Sequence, residues 1–229
     1  MRYRKTIMTL IGIIGGTGDL GTALAIHLAK KNDVLLGSRI LEKARSTVET
    51  IRKEKNHTYL EQNLKPCENL EVVRGCEILL LTVPHENAFE TVSKLSGDFR
   101  GNQVLISAVA AVAKRGEEFV VDEDPSGKSF AEKIKEIVPI TVKVAAAFQT
   151  IPANIMYKER EISSDVLVST DDIATFASVS TLVRNIDGLR PLYLGSLRLA
   201  GEIERLTALL LNIGKRNKLK SPTLKFESF

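Results

Sequence analysis

The sequence predicts an α/β fold: a Rossmann-type parallel sheet flanked by helices, with a smaller, mostly helical C-terminal domain. Three observations carry that reading. Apolar runs of strand length alternate with helical stretches through the first 150 residues. Gly16-Thr17-Gly18-Asp19-Leu20-Gly21 follows the first run, and the rhythm changes after Pro152.

The elements follow in order. Residues 9–14 are continuously apolar, as a parallel strand covered on both faces must be. Residues 19–30 set Leu20, Ala23, Leu24 and Leu28 on one helical face. Residues 33–37 are a second strand, and 40–55 a charged surface helix. Residues 56–66 lack a period and read as a variable connection. A short helix (68–75), a buried strand (77–83) ended by Pro84, a helix (86–95) and a strand (103–109) come next. Residues 114–128 are polar, with Asp124-Pro125-Ser126-Gly127 as turn chemistry. An amphipathic helix (130–138) and a strand (141–148) close this part.

A boundary near residue 150 gives segments 1–150 and 151–229. The second holds a short strand (165–169), a helix (171–185) capped by Thr170-Asp171, and an extended stretch (189–194). Its last element is a long helix (196–213), with Leu199, Ile203, Leu206, Leu210 and Ile213 on one face and Gly214 as the stop.

Composition narrows the class. Of 229 residues, 44% are hydrophobic and 26% charged, enough apolar material for one large domain plus a small one. A formal charge of +4 and a pI near 9.0 suit an anionic ligand but are too weak to argue for nucleic acid. Aromatics are 5% and Trp is absent, so no basic stripe with stacking residues exists; the basic 215–220 tail reads as a solvated end. Cys67 and Cys76 have no His at metal-ligand spacing, so they read as reduced thiols of a cytoplasmic protein, with no metal site. No apolar run has the length of a membrane span. Arg2, Arg4 and Lys5 before residues 8–14 imitate a signal peptide, yet the segment lacks a small-residue cleavage site and runs into the glycine motif. It reads as a strand, and Met8 as an alternative start.

The glycine motif stands after a buried strand and at the mouth of a helix, where a dinucleotide fingerprint belongs. Gly16 would allow the tight turn, Gly18 the approach of a pyrophosphate, and Gly21 close helix–strand packing. Free N–H groups at the helix start would face the phosphates, with Asp19 capping the helix and pointing away. The end of the second strand selects the cofactor. A site for NAD places a carboxylate there; this chain has Gly37-Ser38-Arg39, with Lys43 one turn beyond. A hydroxyl, a guanidinium and an ammonium attract a 2′-phosphate, so the pattern selects NADP(H). Thr82-Val83-Pro84 should border the nicotinamide end of the crevice. His85, next in line, reads as a wall or loop residue rather than an acid, and His27 and His57 as structural or exposed.

Several further motifs carry a family resemblance. Gly15 to Gly21, Gly37-Ser38-Arg39 with Lys43, Leu81-Thr82-Val83-Pro84, Gln149-Thr150-Ile151-Pro152-Ala153 and Ile186-Asp187-Gly188-Leu189-Arg190-Pro191-Leu192 resemble the NADPH-dependent reductases of coenzyme F420, an 8-hydroxy-5-deazaflavin. The resemblance covers most of the chain from Met8 and extends through 204–213. It implies reversible hydride transfer between the nicotinamide and the deazaflavin as co-substrate. It assigns the 2′-phosphate to Thr17, Ser38, Arg39 and Lys43, and the wall around the two rings to Ile151 and neighbours such as Ala153. It also implies a homodimer, segment 1–150 as the NADP-binding domain, and 151–229 as the part completing the cleft. Hydride transfer needs alignment rather than a catalytic side chain, and no nucleophile–base pair is evident. The sequence departs from the family at Gln149, where a His is usual, at His85, often aromatic, and at Asn87, often His; the resemblance sets these positions at the border of the second ring system, with His85, Gln149 and Ile151 as its pocket wall.

Two other readings compete. One keeps NADPH and changes the acceptor to an imine such as pyrroline carboxylate, or to flavin and ferric iron. The other is a non-catalytic NADP(H) sensor, which the motifs at 149–152 and 187–191 disfavour because a sensor needs only the first half.

Overall fold

The computed structural model describes residues 9–122 and 125–227. Its first half runs β1 (Leu10–Ile14), α1 (Asp19–Leu28), β2 (Asp33–Ser38), α2 (Leu41–Lys55), α3 (Thr58–Asn63), β3 (Leu64–Glu68), α4 (Asn69–Gly75), β4 (Ile78–Leu81), α5 (His85–Leu95) and β5 (Val104–Ser107). Then follow β6 (Val112–Arg115), β7 (Glu118–Val121), α6 (Phe130–Ile137) and β8 (Lys143–Ala146). The remainder is α7 (Ala153–Tyr157), β9 (Ser164–Thr170), α8 (Ile173–Arg184), β10 (Leu189–Gly195) and α9 (Ala200–Asn217). Arg2, Arg4, Lys5, Met8 and Asp124 lie outside the described residues.

Eight of these strands form one sheet in the order β10-β9-β8-β5-β4-β1-β2-β3. Strands β1 to β5 and β8 are parallel, β9 is antiparallel to β8, and β10 is parallel to β9. The chain steps from β1 outward to β2 and β3, then crosses back to β4, β5 and β8. The reversal at β1 opens a crevice at the carboxyl ends of the strands, where ligands of such sheets bind.

Alternation along the strands builds two cores. Ile11 and Ile13 of β1 face one core, with α1, α2, α7 and α8, while Ile14 faces the other, with α4, α5, α6 and α9. Helix α1 is buried from Gly21 to Leu28, not along one face alone, because α7 packs against its outer side.

The structure amends the expected elements in four places. The featureless 56–66 stretch holds α3 and most of β3, the edge strand of the sheet. Residues 114–128 include most of a β6–β7 hairpin against α9. Helix α8 is capped by Asp172, which accepts from the N–H groups of Ala174 (3.2 Å) and Thr175 (3.0 Å); Asp171 instead accepts from the N–H of Leu197 at 2.9 Å. Gly214 does not stop α9, which runs to Asn217 and ends with Lys218 in the left-handed region. A Cβ on Gly214 would lie 3.1 Å from Pro222, so the glycine makes room for the returning tail.

Candidate dinucleotide site

The site begins where β1 ends. Gly15 has φ +72°, and a Cβ there would fall 2.1 Å from Val83 Cγ1, so only glycine turns the chain here. The tight turn thus sits on Gly15, one residue before the expected Gly16. The Gly16 N–H donates to the Gly37 carbonyl at 2.8 Å, tying the turn to the end of β2. A Cβ on Gly21 would lie 2.6 Å from Gly16 Cα, which is the close helix–turn packing expected of that position. At Gly18 an added Cβ would meet nothing nearer than 3.9 Å. That side of the turn is open to the crevice.

Gly18 is also the N-cap of α1 and supplies no side chain, so the first N–H groups of a ten-residue helix are left for an anion. Asp19 does not cap the helix; it lies exposed in the first turn, and Leu20 packs on the core. Thr17 and Asp19 line a cleft of about 390 Å³ with Thr22, Ala153, Asn154 and Tyr157.

At the end of β2, Ser38 is buried and its Oγ accepts from the Ile40 N–H at 3.3 Å. Arg39 and Lys43 are exposed, and neither makes an ion pair among the described residues. Ser38 and Arg39 border a cleft of about 290 Å³ with Asn69, Leu70 and Thr91; Lys43 lies outside that lining. Two carboxylates also border it, Glu68 and Glu90. Both are engaged: Glu68 caps α4, and Glu90 pairs with Lys94 at 2.5 Å, whose ammonium holds its carboxyl below the usual range.

The other end of the crevice divides. Thr82 Oγ1 donates toward the carbonyls of Ile14 (3.2 Å) and Gly15 (3.3 Å), Val83 packs on Gly15, and Pro84 caps α5. His85 and Gln149 with Ile151 were expected to wall one pocket. The structure puts them in two. His85 opens on a chamber of about 500 Å³ with Phe89, Phe130 and Glu204. Gln149, Ile151 and Ala153 line a cavity of about 540 Å³ with Phe119 of the hairpin and Leu210 and Leu211 of α9. The hairpin against α9, invisible in the sequence pattern, makes this division. Ala153 and Asn154 border both this cavity and the cleft at Thr17.

Gln149 Nε2 donates to the Ser107 carbonyl at 3.1 Å, while Gln149 Oε1 and Ser107 Oγ are buried without partners among the described residues. His27 is buried against the Met156 carbonyl (2.9 Å), and burial lowers its pKa; His57 is exposed and meets Glu159 at 3.1 Å. Both are structural or exposed, as expected.

Two residues escaped the sequence. Asn69 Oδ1 accepts the Gly15 N–H at 3.1 Å, a contact across 54 positions that no local pattern signals. Glu204 accepts the Phe130 N–H at 2.8 Å, and burial pushes its carboxyl up to about 7. The 186–192 motif has a structural explanation. Gly188 has φ +83°, and a Cβ on it would lie 1.8 Å from the Ile162 carbonyl oxygen. Arg190 grips Asp165 through two bonds of 2.7 Å.

A parallel sheet whose reversal point carries an open glycine turn and an uncapped helix start defines a dinucleotide-binding protein of the Rossmann class. The donors fit a phosphorylated dinucleotide: helix N–H groups for the pyrophosphate, and a hydroxyl and a guanidinium beyond β2 for a further phosphate. Residues 10–111 match the family described as NADP oxidoreductase, coenzyme F420-dependent. The F420-dependent NADP reductase of Methanocaldococcus jannaschii is 28% identical over 92% of this chain and 94% of its own. That of Methanothermobacter marburgensis is 29% identical over 92% and 95%. Among solved structures, a candidate F420-dependent NADP reductase from Arthrobacter sp. FB24 superimposes with a TM-score of 0.78 at 18% identity, covering 96% of this chain and all of that one. No helix among the described residues is long and apolar enough to cross a membrane.

Proposed function

We propose that the chain is an NADP-dependent oxidoreductase that transfers a hydride between NADP(H) and coenzyme F420. The observation that carries this reading is the glycine turn opening beside Ser38 and Arg39, in a chain similar to F420-dependent NADP reductases over nearly its whole length. When bound, the two rings supply the chemistry, a hydride passing between nicotinamide and deazaflavin.

The protein's residues do the rest. Backbone N–H groups at the open start of α1, those of Asp19 and Leu20 among them, hold the pyrophosphate, with Gly16 and Gly18 shaping the turn and Gly21 keeping the helix close. Ser38 and Arg39 bind the 2′-phosphate; Lys43, outside the lining of that cleft, adds its charge, while Thr17 lines the separate cleft at the start of α1. Thr82, Val83 and Pro84 form the wall at the nicotinamide ribose. Gln149, Ile151 and Ala153 bound the ring-stacking end, where the apolar cavity excludes water and aligns the partners. We place the NADP-binding part in 1–150 and the part that completes the cleft in 151–229. The protein works as a cytoplasmic homodimer; Leu209, Leu211 and Ile213 leave apolar surface exposed on α9 for self-association.

The test mixes purified protein and NADPH with oxidised F420, with pyrroline carboxylate, or with no acceptor, and follows NADPH absorbance. Loss of signal with F420 alone supports the reading. Loss only with the imine, or binding without turnover in every mixture, contradicts it.

A further inference from the structure

Asn69 opens α4 just after the edge strand β3 and is 5% exposed. Its amide cannot be turned either way. Oδ1 accepts the Gly15 N–H at 3.1 Å, which only an oxygen can do, so Nδ2 is on the opposite side of the carboxamide. Nδ2 has no hydrogen-bond partner among the described residues, and Asn69 lines the cleft of about 290 Å³ that also holds Ser38 and Arg39. The amide reaches this position because the neighbouring strand carries Gly37: a Cβ there would lie 2.8 Å from Asn69 Oδ1. One side chain therefore touches the glycine turn and the floor of the adenosine cleft together.

We infer that Asn69 is a cofactor-discriminating residue, whose Oδ1 sets the glycine turn and whose Nδ2 donates to the phosphate on the adenosine ribose. This inference rests on the NADP reading above. A neutral amide donor suits this place. It adds a hydrogen bond to a phosphate oxygen without a further cation, and the two carboxylates bordering the cleft are already engaged by the α4 cap and by Lys94. The bare 2′-hydroxyl of NADH gives that donor a weaker acceptor than an anionic phosphate.

The experiment compares NADPH and NADH dissociation constants for the wild type, Asn69→Ala and Asn69→Asp. The alanine variant loses the turn contact for both cofactors, but its NADPH-to-NADH preference falls by about fivefold or more. The aspartate keeps an oxygen for Gly15 and sets a negative charge in place of the donor, so its preference falls further. An unchanged preference in both variants overturns the inference while leaving the NADP reading intact; a wild type without preference for NADPH overturns both. Should neither variant fold, the side-chain amide resonance of Asn69 in the isotope-labelled wild type decides. It shifts on adding 2′,5′-ADP and stays in place with 5′-ADP; equal shifts, or none, refute the role.

Discussion

The Gly16 N–H and the Gly37 carbonyl meet at 2.8 Å, so the glycine turn and the end of β2, to which we assign the pyrophosphate and the 2′-phosphate, are fixed to each other. Two features built from residues more than one helix apart thereby form one unit, the receptor we propose for the cofactor's phosphates. Gly21 keeps the helix seated on the turn, and Asn69, the first residue of α4, holds the turn through the Gly15 N–H.

Gly21→Ala should break this receptor at its base. The new methyl would sit 2.6 Å from Gly16 Cα, a backbone atom that cannot step aside. We expect a loss of about 1–3 kcal/mol of stability, on the scale of overpacking, and loss of NADPH binding in the fraction that folds. Denaturant melts and fluorescence titration measure both.

Asp165→Asn should damage the fold and spare the cofactor site. Asp165 is 1% exposed and accepts from both Arg190 nitrogens and from the Phe226 N–H at 2.6 Å. A stability loss of about 1–3 kcal/mol with unchanged NADPH affinity is expected. Arg190 holds the Asp165 carboxyl below its usual range, so the wild-type contribution is full at neutral pH and disappears as pH falls through the acid range below about 4. Melts of both proteins from neutral pH into acid should converge there.

Glu204 should produce the opposite slope. Burial raises its carboxyl to about 7, above the unfolded value of 4.5, so the folded state holds a proton that the unfolded state releases. Its contribution is full below about 4.5, declines as pH rises, and is gone above about 7, a change of at most a few kcal/mol. Glu204→Gln should flatten the stability profile across that window; an unchanged slope would show that another group causes it.

The sequence displayed the central sheet and hid its margins, for physical reasons. Strands β1, β4 and β5 are covered on both faces and therefore appear as unbroken apolar runs such as Ile78 to Leu81. Strand β3 is an edge, reading Leu64-Lys65-Pro66-Cys67-Glu68, and its proline and exposed positions erase the strand signal. The β6 and β7 strands, four residues each and half exposed, are too short to show a period. The glycine turn from Gly16 to Gly21 and the strand end at Ser38 and Arg39 were legible because local chain geometry forms them. Asn69 and Glu204 were not, since their partners Gly15 and Phe130 are remote in sequence. The separation of His85 from Gln149 depends on a hairpin whose placement is purely tertiary.

The most direct test of the central claim is calorimetric titration of NADPH and NADH into wild type and Arg39→Ala. The substitution should weaken NADPH by about 1–3 kcal/mol, the scale of a charge-assisted contact, and leave NADH nearly unchanged. Equal losses for the two cofactors would show that Arg39 does not recognise the phosphate, and would contradict the account.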